Sequence, residues 1–482
     1  MNAPSFGHGW NFQQSYATLP EILYRQVQPA TFPKPEVVIF NQPLASQLGL
    51  SWDDETLLGE LFTGQLNLPH PYLAQAYAGH QFGGFTMLGD GRALLLAEHQ
   101  GPDGRLWDIQ LKGSGQTPFS RSGDGRAVLG PMLREFLISE AMAALQVPTT
   151  RSLAVTSTGE SVFRETPSPG AVLTRVAASH LRVGTFQFAA AIQRPEVLAA
   201  LVEYTIQRHY PELQGSDTPA LSLLEQVALR QAKLVANWQS IGFIHGVMNT
   251  DNVSLAGETI DYGPCAFMDY YDPGTVFSSI DRGGRYAYQQ QPVIAQWNLA
   301  RFAETLLPLV HSDTETAVDE VTNVLHRFPE QFEQAWLQGM RRKLGFPETA
   351  PIGMEFIQRL LNFMYQHQCD FTNTFDDLST GNLEAAVYQQ GEFCDWLQQW
   401  QNELRQLGRS PLDARQPMRQ VNPAVIPRNH LLETALQAAT VGDLQPFQEL
   451  LQRVQDPFRR PVDAKFREGL PPGSGYQTFC GT

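Results

Sequence analysis

The chain has 482 residues, 42% of them hydrophobic, which is enough to bury a large core and to form two or three lobes. Its formal net charge of −15 argues against a general binder of nucleic acids or anionic membranes, because those surfaces are negative and attract clustered Lys and Arg. Four cysteines without a C-x-x-C pair argue against a zinc site or a secreted disulfide framework.

The N-terminal stretch, MNAPSFGHGWNFQQSYATLP, has neither the charged and apolar regions of a secretory leader nor the Arg-rich character of a transit peptide. No uninterrupted apolar run reaches the roughly 18 residues of a membrane-spanning helix. We therefore expect a cytoplasmic protein with neither a membrane partner nor a nucleic-acid partner.

Residues 1–65 are predicted to form an irregular N-terminal arm with one or two short helices, one of them around QPLASQLGL (42–50). The stretch GGFTMLGDGRALLLAEHQGPDGRLWDIQLKG (83–113) then alternates short apolar runs with Gly-Asp-Gly and Pro-Asp-Gly turns. This pattern predicts a three-stranded antiparallel meander. Lys112 lies at the end of the third strand, on its polar face.

A Gly-rich loop follows at 113–130, and apolar spacing then predicts a helix over 131–146, with Pro131 in its first turn. Further short strands are predicted at three places, and beyond them the chain becomes mainly helical. A long helix over 221–243 leads into HGVMNTDN (245–252). The three strands are RSLAVTST (151–158), SVFRET (161–166) and AVLTRVA (171–177).

The stretch HGVMNTDN resembles the catalytic loop of protein kinases, His-x-Asp-x-x-x-x-Asn, but Val247 replaces the aspartate that accepts the proton of the attacking hydroxyl. Asn252 keeps the position of a metal ligand. Asp261, in the sequence DYG, has the position of the second ligand, and such amide and carboxylate oxygens suit magnesium.

Lys112 and Glu135 have the order expected of the strand–helix ion pair that aims a lysine at nucleotide phosphates. Glu140, on the same predicted helix, is the alternative partner for Lys112. With the metal-ligand positions, this order predicts an α+β, protein-kinase-like two-lobed fold with a helical C-terminal extension. The predicted divisions are the arm at 1–65, a strand-rich lobe at 66–180, a helical lobe at 181–410 and the extension at 411–482.

Five segments together resemble the selenoprotein O family, pseudokinase-fold enzymes that transfer AMP to protein hydroxyls, and the match runs from about residue 5 to the last residues. It is more specific than any single kinase-like motif. The segments are YAGHQFGGFTMLGDGRA (77–93), DIQLKGSGQTPFSRSGDGRAVL (108–129), LREFLISEAMAALQVPTTRSL (133–153), HGVMNTDNVSLAGETIDYGPCAFMD (245–269) and NPAVIPRNHLLETAL (422–436).

The resemblance implies that ATP binds in an orientation inverted relative to a kinase, so that its α-phosphorus faces the incoming hydroxyl and pyrophosphate leaves. It implies Mg²⁺, with Mn²⁺ as an alternative, and protein acceptors with Ser, Thr or Tyr hydroxyls, this chain included. UTP is an alternative donor. The residues it implies are Gly89, Gly91 and Arg92 in the nucleotide loop, Asp124 and Gly125 in the second Gly-rich loop, Lys112, Arg175 and Arg182 at the phosphates, and Asn252 and Asp261 at the metal.

Asp251 is the base that the family pattern implies, and elementary chemistry supports this role. A positioned general base contributes about 10²- to 10⁴-fold in rate, so Val247 should cripple ordinary phosphoryl transfer unless another carboxylate serves. Two alternatives are a true kinase, against which Val247 argues, and a non-catalytic ATP-binding pseudokinase scaffold, against which Lys112, Asn252 and Asp261 argue.

Cys480 has the position that is selenocysteine in some members of the family. One interpretation is an inert thiol on a frayed tail. The other is a redox pairing with Cys265, which follows Asp261 and would tie the tail to the active site.

Overall fold

The computed structural model describes residues 7–66 and 68–479. The strands, β1 to β12, are Phe12–Gln13, Tyr24–Val27, Glu36–Phe40, Tyr72–Gln75, Ala78–Gln81, Gly84–Met87, Ala93–Gln100, Leu106–Lys112, Arg151–Phe163, Pro167–Ala177, Phe243–Ile244 and Ala266–Phe267. The helices, α1 to α15, are Gln42–Gln47, Leu58–Leu61, Leu129–Ala144, Val183–Ala191, Pro195–His209, Pro219–Ile241, Gln291–Val310, Thr314–Lys343, Met354–Gln366, Phe371–Thr380, Gly391–Gln406, Pro411–Val421, Asn429–Thr440, Gln445–Val454 and Ala464–Arg467.

One eight-stranded sheet dominates the first part of the chain, with the order β2-β4-β7-β8-β10-β9-β3 and β1 paired to β7. Its pairings are antiparallel. Helices α4 to α15 follow the sheet in the chain. This segregation confirms the α+β class. The kinase-like two-lobed arrangement and the four boundaries stay predictions.

The predicted meander is wrong in its first strand. Strands β7 and β8 do pair, but β6 pairs with β5 in a separate two-stranded hairpin, Ala78–Met87. The two strands predicted at 151–158 and 161–166 are one continuous strand, β9, whose pairing with β10 continues through register shifts. The turn-forming residues between the two predicted strands lie inside β9, because a long strand tolerates such residues at bulges.

The N-terminal arm is also more regular than expected. Strand β2 pairs with β4, and β3 pairs with β9, so residues before 66 complete both edges of the large sheet. Apolar side chains between these strands, among them Phe32 and Phe62, form a core with Leu111. These pairings are non-local, and no short-range pattern in residues 1–65 indicates them.

The long helix α6 leads into the segment HGVMNTDN (245–252). It ends at Gly242, whose left-handed φ of 70° caps the helix as glycine commonly does. Strands β11 and β12 then pair, Phe243 with Phe267 and Ile244 with Ala266. The segment 245–265 is therefore a loop whose two ends are held together. Within the described residues, no helix has the length and apolar character needed to cross a membrane.

The C-terminal extension includes a pair of helices that pack on α3. Residues 429–454 form α13 and α14, which are separated at Gly442, a residue with φ of 97°. Both helices pack on α3, and the rings of Phe136 and Phe447 lie 6.5 Å apart. The extension therefore supports the helix that carries Glu135.

Lys343, at the end of α8, offers a test of the helical core. Its side chain is buried, its ammonium lies 4.1 Å from the ring centre of Phe375, and burial lowers its pKa to about 7. The unfolded chain therefore binds a proton at this residue that the folded chain lacks between pH 7 and 10. We expect Lys343→Met to raise the melting temperature at pH 6, with an advantage that shrinks as the pH rises from 7 to 10. A difference independent of pH would contradict this.

Candidate active site

The polar face of β8 is buried, and it carries the centre of the site. Lys112 Nζ donates a 2.7 Å hydrogen bond to Glu135 Oε2 and another of 2.7 Å to Asp261 Oδ1. Glu140, the alternative partner, instead accepts from Arg151 Nε at 2.8 Å. The two glutamates are five residues apart, about 140° around the helix axis, so Glu135 faces Lys112 of β8 while Glu140 faces Arg151 of β9.

Arg175 lies on the neighbouring strand β10, opposite Gln110 of β8. Its guanidinium donates to Asp261 Oδ1 at 2.8 Å, to Glu135 Oε1 at 3.1 Å and to Gln110 Oε1 at 2.6 Å. Lys112 and Arg175 thus share two carboxylates, one from a helix and one from the loop 245–265. This buried network fixes the positions of both cations.

Asp261 has a left-handed φ of 63°, a conformation that Asp adopts more readily than most non-glycine residues. Burial alone would raise the pKa of its carboxyl, but Lys112, Arg175 and Arg182 outweigh burial and hold that pKa well below its ordinary value. Asp261 is therefore an anion throughout the physiological range, as a metal ligand must be.

A deep cavity of about 260 Å³ opens above this network. Its lining includes the three predicted phosphate cations, the base, and both predicted metal ligands. Val247 also lines it and is 6% exposed, so a buried aliphatic side chain replaces the kinase aspartate. The predicted residues on its wall are Gly91, Arg92, Lys112, Glu135, Arg175, Arg182, Asp251, Asn252 and Asp261.

A second cavity, of about 640 Å³, adjoins the deep one and opens outward. The two Gly-rich loops line it, with the predicted residues Gly89, Gly91, Arg92, Asp124 and Gly125. The cavities share five wall residues, Tyr77, Gln81, Gly91, Arg92 and Asp251. Asp251 therefore lies where the deep cationic cavity meets the outer one.

The glycines of the outer cavity are required by close packing. A Cβ on Gly89 would lie 2.4 Å from the Phe119 ring, and one on Gly125 would lie 2.1 Å from the Gly115 carbonyl carbon. The Asp124 carboxylate is exposed and accepts from both terminal nitrogens of Arg164, at 2.9 and 3.0 Å. Asp124 thus orders the rim of this cavity.

Asp251 lies in a short 3₁₀ turn, Thr250–Asn252, packed under the β5–β6 hairpin. Burial raises the pKa of its carboxyl to about 6, and Arg182 opposes that rise. Its Oδ1 is buried and has no hydrogen-bond partner among the described residues. A buried acceptor without a partner is costly, and a carboxyl with a raised pKa on the wall of both cavities is suited to exchange a proton near neutral pH.

The hairpin positions this turn through side chains that the sequence analysis did not select. Thr250 Oγ1 accepts from the backbone N–H of His80 at 2.7 Å and donates to Gln187 Oε1 at 2.6 Å. The Gln187 amide nitrogen lies 2.7 Å from His80 Nδ1. Gly79 could have indicated this contact from the sequence, because a glycine inside a strand often marks a place where another segment approaches the backbone closely.

Two further residues missed by the sequence analysis lie beside Arg182. The Arg182 guanidinium stacks 4.4 Å from the centre of the Tyr77 ring. Asp90 is buried in the wall of the deep cavity, and burial raises the pKa of its carboxyl to about 6 while Arg182 opposes the rise. Asp90 stands between Gly89 and Gly91, and the Gly-Asp-Gly motif predicted a turn and a nucleotide loop without assigning a role to Asp90.

The donors in the deep cavity fit magnesium. The Asn252 amide nitrogen donates to the Val247 carbonyl at 3.1 Å, a bond that uses none of the acceptor capacity of its oxygen. Magnesium usually binds one or two carboxylates together with phosphates and waters. The described ranges contain no group of three or more His, Cys, Asp or Glu side chains arranged as a metal site.

Cys265 is fully buried, and burial raises the pKa of its thiol to about 12. The C-terminal tail runs beside it, because Thr478 Oγ1 donates to the Pro264 carbonyl at 2.7 Å and the Thr478 N–H donates to the Phe277 carbonyl at 2.8 Å. Cys480 lies outside the described residues.

Gly79→Ala tests the packing of Asp251 under the hairpin. The added Cβ would lie 2.3 Å from Asp251 Oδ1, so the carboxylate must move by about an ångström. Such a displacement can cost about 10²-fold in rate. We expect a loss of this size in turnover with an unchanged melting temperature. Gly353→Ala is the matched control, since nothing lies within 4 Å of its added Cβ, and equal activity of the two variants would contradict the prediction.

Comparison with known proteins finds a family model and several relatives that match most of the chain. A family model described as "Protein adenylyltransferase SelO" matches residues 8–455. "Protein nucleotidyltransferase YdiU" of Shouchella clausii is 52% identical over 480 residues, which cover 98% of this chain and 99% of that protein. The proteins of the same name from Syntrophotalea carbinolica and Brevibacillus brevis are 53% and 52% identical over 486 residues, covering 99% of this chain and 98% and 99% of theirs.

Proposed function

Because this chain belongs to the SelO family of protein adenylyltransferases and is therefore a protein nucleotidyltransferase, we propose that it transfers AMP from ATP to Ser, Thr or Tyr hydroxyls of proteins. UTP is an alternative donor. The membership confirms the resemblance seen in the sequence, whereas the nucleotide, the metal and the acceptor residues belong to the proposal.

The position of Asp251 carries the proposal. Lys112, Arg175 and Arg182 lie on the wall of the deep cavity, and Asp251 lies at its junction with the larger outer cavity. A nucleotide whose β- and γ-phosphates enter the deep cavity would have its adenosine in the outer one. Its α-phosphorus would then lie at the junction, beside the carboxylate. This is the orientation expected for adenylyl transfer.

In this arrangement Asp251 accepts the proton of the acceptor hydroxyl. The hydroxyl oxygen forms a bond to the α-phosphorus, and the bond from that phosphorus to the bridging oxygen of the β-phosphate breaks. Lys112, Arg175 and Arg182 then stabilise the charge that develops on the pyrophosphate. Magnesium, held by Asn252 and Asp261, would supply further charge neutralisation on the phosphates.

Product analysis tests the proposed reaction. The purified protein is incubated with magnesium, ATP and an acceptor protein, and the nucleotide products are separated. We expect pyrophosphate equal in amount to the AMP bound to protein. ADP in place of pyrophosphate would overturn the proposal, because ADP is the product of a kinase. The same assay with UTP tests the alternative donor.

We also propose that Cys265 and Cys480 form a disulfide under oxidising conditions, since Thr478 already holds the tail beside Pro264. After treatment with oxidised glutathione, peptide mapping of the alkylated protein should recover these two cysteines as one linked peptide pair. Cys369, which is buried, should remain alkylated and serves as the internal control. Recovery of both Cys265 and Cys480 as alkylated thiols would contradict the pairing.

A further inference from the structure

The β5–β6 hairpin has one covered edge and one open edge. Strand β5 faces the catalytic turn, where the His80 N–H donates to Thr250, and the Ala78 carbonyl faces Gly184, where a Cβ would lie 2.1 Å from that oxygen. Strand β6 pairs with β5 and with no other strand of the described ranges. Its outer edge therefore lacks a strand partner there.

The backbone groups on that outer edge belong to Phe85 and Met87. The hairpin turn has two residues, and its flanking residues Gln81 and Gly84 are paired, so hydrogen-bonded and non-hydrogen-bonded pairs alternate from there. His80 and Phe85 form a non-hydrogen-bonded pair, in agreement with the His80 N–H pointing to Thr250. The N–H and C=O groups of Phe85 and Met87 consequently point away from β5.

Apart from the short length of β6, this edge lacks the usual protections against strand addition. Natural edge strands carry Lys, Pro or bulges, whereas β6 reads Gly-Phe-Thr-Met and pairs without a register shift. Phe85 is 48% exposed and Met87 is 44% exposed. An apolar strand with free backbone groups is a surface on which an extended peptide can bind as an added strand.

The tip of the hairpin carries an aromatic residue in an unfavourable conformation. Phe82 has φ of 50°, whereas a two-residue turn of this kind favours Asn or Gly. Its N–H donates to Asn249 Oδ1 at 3.0 Å, and its ring lies edge-on, 5.2 Å from Tyr286. The turn geometry alone does not explain a phenylalanine here, but contact with a bound chain would.

A cation without a carboxylate partner lies beyond the tip. The Arg285 guanidinium is 4.7 Å from the Trp297 ring centre and 5.7 Å from that of Tyr286. The nearby Asp281 carboxylate accepts backbone N–H groups at 2.9 and 2.8 Å. Arg285 makes no salt bridge within the described ranges, and its Nε is buried without a hydrogen-bond partner. It is therefore available to an anionic group.

We propose that β6 docks an extended segment of the protein acceptor, with an apolar side chain against Phe82 and Phe85 and a carboxylate at Arg285. This inference rests on the proposed function and names the acceptor chemistry that the site would take. The docked strand would run from Arg285 past the tip toward Leu88 and Gly89, which line the outer cavity. A strand added to β6 would lie two strand spacings, about 10 Å, from β5 and its Gly79, so the acceptor hydroxyl would belong to residues that continue past Leu88 and Gly89 into the outer cavity, whose wall includes Asp251.

Three variants separate the parts of this surface. Met87→Pro removes an outward N–H and is compatible with an edge position that makes no bond to β5, while Met87→Ser removes only the side chain. Arg285→Glu reverses the charge. Phe163→Ser is the control for loss of an exposed apolar side chain, since Phe163 is 70% exposed at the end of β9.

The variants are incubated with α-labelled ATP and the soluble proteins of a bacterial extract, and their affinity for ATP is measured separately. We expect Met87→Pro and Arg285→Glu to lower labelling of the extract proteins about tenfold, and Met87→Ser to lower it less. Their affinity for ATP and their melting temperatures should match those of Phe163→Ser.

Undiminished labelling by Met87→Pro and Arg285→Glu, while the unchanged chain labels the extract, would overturn the docking surface and leave the proposed function intact. Conversion of a dimer to a monomer by Met87→Pro would assign the edge to a second copy and also overturn it. If the unchanged chain transfers no α-label, the proposed function fails and the docking surface fails with it.

Discussion

Asp261→Ala is expected to lower AMP transfer by about 10³-fold. The substitution removes a proposed metal ligand, and it also removes the anion that accepts 2.7 and 2.8 Å hydrogen bonds from Lys112 and Arg175. Both cations would then be free to shift from the positions in which they face the phosphates.

The same substitution should lower stability, because it leaves two buried cations with Glu135 as their remaining carboxylate partner. Removing one partner of a buried ion pair costs about 3–5 kcal/mol of folding stability. The cost here should be smaller, because 22% of the Asp261 side chain is exposed. Asp261→Asn keeps the side-chain volume and one oxygen but removes the negative charge. It therefore separates the loss of the metal-ligand oxygen from the loss of the ion pairs. Transfer by Asp261→Ala within tenfold of the unchanged chain would contradict the assignment.

Asp251→Asn is expected to lower kcat by about 10²- to 10⁴-fold, the range for a positioned general base. The change is isosteric, so the KM for ATP should stay within a few-fold, which is the pattern of a residue that acts in the transition state. Initial rates of α-label transfer at several ATP concentrations give both constants.

Asp217→Asn is the matched control, since Asp217 is exposed in the loop before α6. A kcat for Asp251→Asn equal to that of the control would contradict the role of Asp251 as base. A rise in the KM for ATP with kcat unchanged would instead assign Asp251 to nucleotide binding.

Local patterns in the sequence predicted local features of this structure. The strand ending at Lys112, the helix carrying Glu135 and the loop between α6 and Asp261 lie where periodicity and turn residues put them. The order of these elements also predicted that Lys112, Glu135 and Asp261 belong to one site, because the chemistry of such a motif requires a particular residue type at each position.

Contacts between distant segments were not predictable in the same way. Two of these contacts join residues more than 100 positions apart: the pairing of β3 with β9 and the approach of Gly79 to Asp251. The separation of the β5–β6 hairpin from the large sheet depends on such long-range contacts. The energy of these contacts lies in packing that neither segment encodes alone. Arg175 and Arg182 were selected through the family resemblance, since an arginine in a strand is by itself more often a surface residue.

The most direct test of adenylyl transfer is parallel incubation of the purified protein with magnesium and ATP labelled at either the α- or the γ-phosphate, with Asp261→Ala as control. The account predicts protein-bound α-label that the variant loses, and no protein-bound γ-label. Protein-bound γ-label alone would contradict the account and identify a kinase in which Asp251 replaces the aspartate missing at Val247. ATP binding with neither label transferred would contradict it in favour of a non-catalytic scaffold.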